Sequence, residues 1–347
     1  MEINELNYIF QLFFEDLPIR FEVKNTSRND NDFREVIIAK WSSGDKYVIK
    51  LSDNDFTFPD KIKSWVRCAE EYRKLGYYCP AIFYSKKGDF PVVEYKGHKC
   101  VAYAEEYSIY NAVDARTDES CNIHDREYMG PAFEMIARVA AKRFDFTDYP
   151  SGYCLFDRFC PSDATDEILE LALEWKKYAD TLPEEFREQV NRIWQRWNDN
   201  RSSLEQIYHR LPTSVFQADL NPTNILIDSD GKFVGVMDFN LCGKDVFLNY
   251  LFREICWLSD NEEELNYILR TLEKINHAYR FSDIEIQAAP LLYRCLKPLW
   301  YSKVEKLKEA GGDREKIRAC LNETEYMQTR TIDFGYYMSS ISEAHEK

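Results

Sequence analysis

The chain reads as an α+β protein of two lobes, a small antiparallel-sheet lobe over residues 1–106 and a mainly helical lobe over 107–347. Three observations carry that expectation. Strand-like runs crowd the first hundred or so positions and helical patterns fill the rest, the order expected of an α+β chain. A length of 347 residues is more than one compact core usually serves. A hairpin-like segment with polar ends sits between the helical patterns, at 215–240.

Taken in order, residues 3–16 place Ile3, Leu6, Ile9, Phe10 and Phe13 on one helical face, and Pro18 ends that helix. Strand candidates follow at 19–24, 35–41 and 47–51, the last two joined by a turn at 42–45. A helix spans 59–75, with Pro59 in its first turn and Gly76 after its end. Further strand candidates at 81–84, 91–95 and 100–104 complete what reads as a five-stranded antiparallel sheet with one helix. Beyond it, helices are expected at 131–144, 165–180 and 183–211, the last stopped by Pro212. Residues 245–258 read as helical, as do most of 261–280, 283–308 and 313–345. Aromatics in that tail, such as Tyr293 and Trp300, suit a core.

Composition narrows the function. A net charge of −15 argues against nucleic acid or an anionic membrane as partner. The same charge suits plain solubility, and also a cationic small-molecule substrate. Ten cysteines without a Cys-x-x-Cys pair signal neither a zinc site nor a disulfide framework, so free thiols in a reducing cytoplasm are expected. The acidic N-terminus has no apolar leader, and no run approaches membrane-spanning length.

The chemistry concentrates at 215–240. Residues 225–227 and 233–237 are two apolar strands joined through Asp230-Gly231, a hairpin signal. Asp219 and Asn224 precede the first strand and Asp238 follows the second, so the hairpin brings three oxygen-bearing side chains toward one place. A carboxylate and an amide beside phosphates suit a hard cation such as Mg²⁺.

The frame Gln217-Ala218-Asp219-Leu-Asn-Pro-Thr-Asn224, a hairpin, then Met237-Asp238-Phe239, resembles the aminoglycoside phosphotransferase and choline kinase family. That family has the protein-kinase-like fold and a His-Gly-Asp-x-x-x-x-Asn loop. The resemblance implies an ATP-dependent phosphotransferase acting on a hydroxyl of a small molecule, either aminoglycoside-like or an amino-alcohol or sugar metabolite. It implies Asp219 as catalytic base, with Asn224 and Asp238 as Mg²⁺ ligands. Tyr47-Val48-Ile49-Lys50 is similar to the Val-Ala-Ile-Lys strand; read alone, a solvated strand-edge lysine is favoured, but its place after two strands and before a helix makes Lys50 the expected phosphate ligand. Its glutamate partner is expected on the 59–75 helix, at Glu70 or Glu71. Ser27, with Thr26 and backbone amides, is expected to meet the phosphates from loop 25–32, which lacks the usual glycines. Glu105 and Tyr107 fall at the hinge, where backbone groups bind adenine.

Departures from the family pattern are Gln217 for its histidine, Asn249 for an aspartate, and Asn240 for the glycine of Asp-Phe-Gly. Asn240 tolerates the left-handed backbone that turn needs. The departures leave open a nucleotide-binding pseudokinase with a regulatory role.

Overall fold

The computed structural model describes residues 2–28, 31–113, 128–256 and 262–339. The expected helical positions at 257–261 and 340–345, and two positions of loop 25–32, lie outside them.

The first lobe comprises α1 (Glu2–Phe13), β1 (Arg20–Asn25), β2 (Phe33–Lys40), β3 (Lys46–Asp53), α2 (Pro59–Lys74), β4 (Ile82–Phe83), β5 (Val92–Tyr95) and β6 (His98–Glu106). These strands form one antiparallel sheet of six, not five, in the order β1-β2-β3-β6-β4, with β5 also paired to β6. The extra strand fits because β6 is long. Its one edge pairs with β3, while the other is shared, with β5 at Val101 and β4 at Glu105. Nor does the sheet have only one helix. Ile37, Ile49, Leu51 and Ala102 line one face, and α1 covers them with Leu6, Ile9 and Phe10. An exposed apolar face of that kind needs such a cover. The opposite face carries Lys50 and Tyr103.

The helical part follows: β7 (Asn111–Ala112), α3 (Met129–Lys142), α4 (Glu167–Ala179), α5 (Arg187–Tyr208), β8 (Thr213–Phe216), β9 (Ile225–Ile227), β10 (Phe233–Val236), β11 (Gly243–Val246), α6 (Phe247–Cys256), α7 (Glu262–Ile275), α8 (Asp283–Leu296), α9 (Tyr301–Glu309), α10 (Arg314–Thr329) and α11 (Phe334–Ser339). The hairpin forms where turn chemistry places it, β9 against β10. The expected helix at 245–258 begins two residues late, because Gly243 to Val246 pair with β8 as a strand. Residue 244 is held on its other edge as well, its amide donating to the Tyr149 carbonyl at 2.8 Å. The run 283–308 is two helices, broken around Pro298.

One large core joins α2 to the helical part, and the backbone itself stitches the two together. The Tyr78 amide donates to the Val234 carbonyl (2.9 Å), and the Val236 amide donates to the Tyr78 carbonyl (3.0 Å). Gly235, between them, permits this approach: a β-carbon there would fall 1.8 Å from the Tyr78 oxygen. Among the described residues no disulfide joins two cysteines, and no helix is long and apolar enough to cross a membrane.

Gly235→Ala is therefore expected to destabilise the protein by about 2–4 kcal/mol, since the obstacle is backbone and cannot swing aside. Urea unfolding measures this; a midpoint equal to wild type removes the stitch from the account of stability.

Candidate active site

The site grows from the two ends of the β9–β10 hairpin. β8 delivers the chain to Gln217, whose side chain is wholly buried. Its Nε2 lies 2.8 Å from the Asp219 carbonyl, 3.0 Å from that of Met237 and 2.7 Å from that of Asp238. Its Oε1 accepts from the Asp219 amide at 2.9 Å. One amide thus joins the loop before β9 to the chain leaving β10. Both segments contain a left-handed residue, Ala218 at φ 63° and Asp238 at φ 61°. Such backbone costs a side-chain-bearing residue about 1–2 kcal/mol and persists where neighbours enforce it. The left-handed turn is at Asp238 itself and not at Asn240, where glycine stands in the family pattern.

Asp219 is buried, and the Asn221 amide donates to its carboxylate at 3.2 Å. Burial pushes its pKa up to about 6; the Asn221 amide opposes this, and the charge of Asp238 adds to it. Glu254, from α6, fixes the next residue by accepting from the Leu220 amide at 3.0 Å. Asn224 ends a short turn, donates weakly to the Asp219 carbonyl (3.4 Å) and accepts through its own carbonyl from the Met237 amide (2.9 Å).

Lys50 reaches into this group from the sheet. Its ammonium is 3.1 Å from Glu105 and 3.3 Å from Asp238. Burial favours the neutral amine, but Asp238 and Glu105 overcome it and raise the Lys50 pKa well above its ordinary value. Its partners are Glu105 and Asp238, not Glu70 or Glu71. Glu71 pairs instead with Arg67 and Lys74 along α2. The reason is strand parity: Lys50 stands opposite Tyr103 and Val48 opposite Glu105, so both side chains share one sheet face. The turn of α2 over this face carries Trp65, whose ring packs on Tyr103 with centroids 5.7 Å apart.

Of the residues expected from sequence, Lys50, Glu105, Asp219, Asn224 and Asp238 come together. Ser27 is engaged within its loop, its amide donating to Asn25 (2.9 Å) and its hydroxyl accepting from the Arg34 amide (2.9 Å). Tyr107 lies outside the group, its ring 4.8 Å from the Lys46 ammonium. Asn249 is wholly buried and donates to Asp245 (3.0 Å) and to the Tyr153 carbonyl (2.8 Å). A donor suits that position beside Asp245 better than a second carboxylate would. Glu254 and the Glu105 side chain carry no local sequence signal; only strand register reveals the second.

One cavity borders the group, and a second lies beyond it, sharing Phe56 with the first. A small one of about 130 Å³ is lined by Thr26, Arg34, Lys50, Ser52, Asp238 and Asn240. A larger one of about 670 Å³ lies between the loop after β1 and residues 152–170, with Asp55, Asp163, Glu167 and Glu170 on its walls and Arg28 at its rim. Among the described residues no three His, Cys, Asp or Glu side chains stand ready to hold a metal. Asp238 and Asn224 supply oxygen alone, and Asn240 adds a buried Oδ1 without a partner. That set fits a hard cation completing its coordination with phosphate and water.

Gln217→Ala should cost about 2–4 kcal/mol in chemical unfolding, because it strands buried backbone groups and releases two left-handed turns. A loss below about 0.5 kcal/mol would mean that the turns hold themselves.

Comparison with known proteins places these residues in context. A model described as the phosphotransferase enzyme family matches residues 27–248. An aminoglycoside phosphotransferase from Alicyclobacillus acidocaldarius subsp. acidocaldarius has a similar structure at 12% identity and TM-score 0.50, covering 95% of this chain and 94% of its own. A microcompartment-associated aminopropanol kinase aligns at 13% identity and TM-score 0.55, over 94% of this chain and 95% of its own. An amicoumacin kinase in complex with AMP-PNP and Ca²⁺ aligns at 13% and 0.53, over 96% of each chain. No curated protein matches the chain. At such identities the structures speak for the fold, while the family match takes in more than half the chain and the whole group from Lys50 to Asp238. The chain therefore belongs to the phosphotransferase enzyme family, as a small-molecule kinase with the protein-kinase-like fold.

Proposed function

We propose that the protein transfers the γ-phosphoryl group of ATP to a hydroxyl of a small, amine-bearing molecule, with Mg²⁺ as the divalent ion. The observation that carries this reading is the ion pair across the cleft, Lys50 to Asp238 at 3.3 Å, with the buried Asp219 at the other end of the same hairpin. Residues 1–106 serve as the nucleotide lobe, with the backbone near Glu105 and Tyr107 bordering the base and loop 25–32, Ser27 included, over the phosphates. Residues 107–347 form the catalytic and acceptor lobe.

Lys50 neutralises phosphate charge, and Glu105 keeps it extended toward Asp238. Asp238 and Asn224 hold the metal, which when bound neutralises and orients the phosphates. Asp219 takes the proton of the acceptor hydroxyl as the new oxygen–phosphorus bond forms and the bond to the leaving diphosphate breaks. A base with a pKa of about 6 is mostly ionised at neutral pH yet still basic enough to accept a proton. The acceptor lies in the larger cavity, whose carboxylates favour an amine-bearing molecule. Support for that class also comes from fold relatives named for an aminoglycoside and for aminopropanol.

Screening ATP consumption over aminoglycosides, choline, ethanolamine, aminopropanol and neutral sugars tests the proposal, and amines should lead. With the best acceptor, Asp219→Asn should lower turnover by on the order of 10²-fold or more. Wild-type kcat/KM should fall as pH drops through about 6, where Asp219 gains its proton. A mutant as fast as wild type removes the base assignment.

Metal dependence supplies a second check. ATP should raise the melting temperature strongly only when Mg²⁺ is present, by linkage of binding to folding. Asp238→Ala should abolish that gain. Metal-independent stabilisation by ATP, with no acceptor phosphorylated, favours the pseudokinase reading instead.

A further inference from the structure

The glycine-free loop leaves a question of how phosphate is gripped from above. Glycine-rich loops do this with free backbone amides. Here the loop turns its polar groups inward. The Thr26 amide donates to the Arg34 carbonyl (2.9 Å), and the Ser27 amide donates to Asn25 (2.9 Å). The Ser27 hydroxyl accepts from the Arg34 amide (2.9 Å) and donates to its carbonyl (3.3 Å). Each of these contacts except the Asn25 turn closes on Arg34, the second residue of β2.

The Arg34 side chain points the other way. Pairing of Arg34 with Ser52, and of Val36 with Lys50, puts Arg34 on the same sheet face as Lys50, on the adjacent strand. Arg34 lines the small cavity together with Lys50, Asp238 and Asn240. The side chain is only 14% exposed. One terminal nitrogen pairs with Asp32 at 3.0 Å, while Nε is buried and has no hydrogen-bond partner. A buried guanidinium N–H without an acceptor is a bond left unmade, and a phosphate oxygen in this cavity would make it.

We propose that Arg34 is a second phosphate ligand, acting beside Lys50 and doing with a side chain what glycine-loop amides do elsewhere. The proposal rests on the reading of the cleft as a nucleotide site. Asp32 has a defined part in it: it orients the guanidinium from behind, and itself accepts from Asn54 (2.9 Å), so Nε is left for the ligand. A residue needed only to close the loop would act through its backbone groups, which any side chain preserves. The planar guanidinium fork matches phosphate geometry, and an ammonium does not reproduce it.

The test is calorimetric binding of adenosine, ADP and AMP-PNP with Mg²⁺ to wild type, Arg34→Gln and Arg34→Lys. Arg34→Gln should weaken ADP and AMP-PNP by about 10–100-fold and leave adenosine within about twofold, the pattern of lost charge-assisted bonds to phosphate. Arg34→Lys, which keeps the charge beside Asp32, should lose about 3–10-fold on the same two ligands only. If Arg34→Gln does not fold, the lysine variant decides alone. Equal binding by the variants, or a loss as large for adenosine as for ADP, overturns the proposal and returns Arg34 to a loop-closing role. Wild-type protein that binds none of the three ligands overturns the nucleotide reading itself, and this inference with it.

Discussion

The side-chain amide of Gln217 is the contact on which the arrangement of the site depends. Ala218 and Asp238 occupy backbone conformations that disfavour both residues, and they lie on segments twenty positions apart in sequence. The Gln217–Asp219 bonds close over Ala218 locally, and the same side chain reaches across to Asp238. Gln217 reaches the carbonyls of Asp219, Met237 and Asp238 at once, so the two strained turns are stabilised by the same buried group. Its own amide donates to the Tyr72 hydroxyl at 3.1 Å, which carries the constraint on to α2. Glutamine in place of the family's histidine therefore keeps the bridging task. It offers a donor and an acceptor on one planar group, and both are used.

A second consequence concerns what holds Lys50. A lysine anchored by a helix glutamate loses its partner whenever the helix shifts. Here the partner is Glu105, on the strand next to that of Lys50, so the pair moves with the sheet as one body. Trp65 of α2 fills the space over Tyr103, and Glu71 is occupied by Arg67 and Lys74. Positioning of the lysine is thereby separated from the position of α2. Burial raises the pKa of Glu105 while Lys50 opposes the shift, which makes the pair sensitive to whatever else enters the cleft.

How much of this was legible in the sequence follows from the range of each signal. The β9–β10 hairpin was readable because Asp230-Gly231 and two short apolar runs are local features. So were Asp219, Asn224 and Asp238, which that hairpin gathers. The strand at 243–246 was not, because its pairing with β8 and its contact with Tyr149 are long-range, and Lys-Asp-Val reads equally well as a helix start. All six strand runs are marked in the sequence, but that β4 and β5 share one edge of β6, and so both join the sheet, has no local mark. Glu105 and Arg34 required the register of three strands. Once Lys50 is placed opposite Val36 and Tyr103, period two brings both residues to its face, but a single strand read alone cannot supply the pairing.

The distribution of charge across the cleft then follows from how each carboxylate is paired. On the sheet side Lys50 and Arg34 line a small cavity, paired with Glu105 and Asp32 respectively. On the other side, Asp166 is matched by Arg201 and Glu167 by Arg253, while Glu170 gains a raised pKa from burial and from the nearby Asp163, Glu167 and Asp166 charges. Like charges that raise one another's pKa are relieved by a cation placed among them. The larger cavity has more carboxylates than cations on its walls, an excess that an amine in the proposed acceptor position would offset. Asp219 owes its raised pKa to its own burial first, with the charge of Asp238 adding to it. In the proposed reaction an entering amine offsets that excess, phosphate meets Lys50 and Arg34, and the proton of the acceptor hydroxyl moves to Asp219.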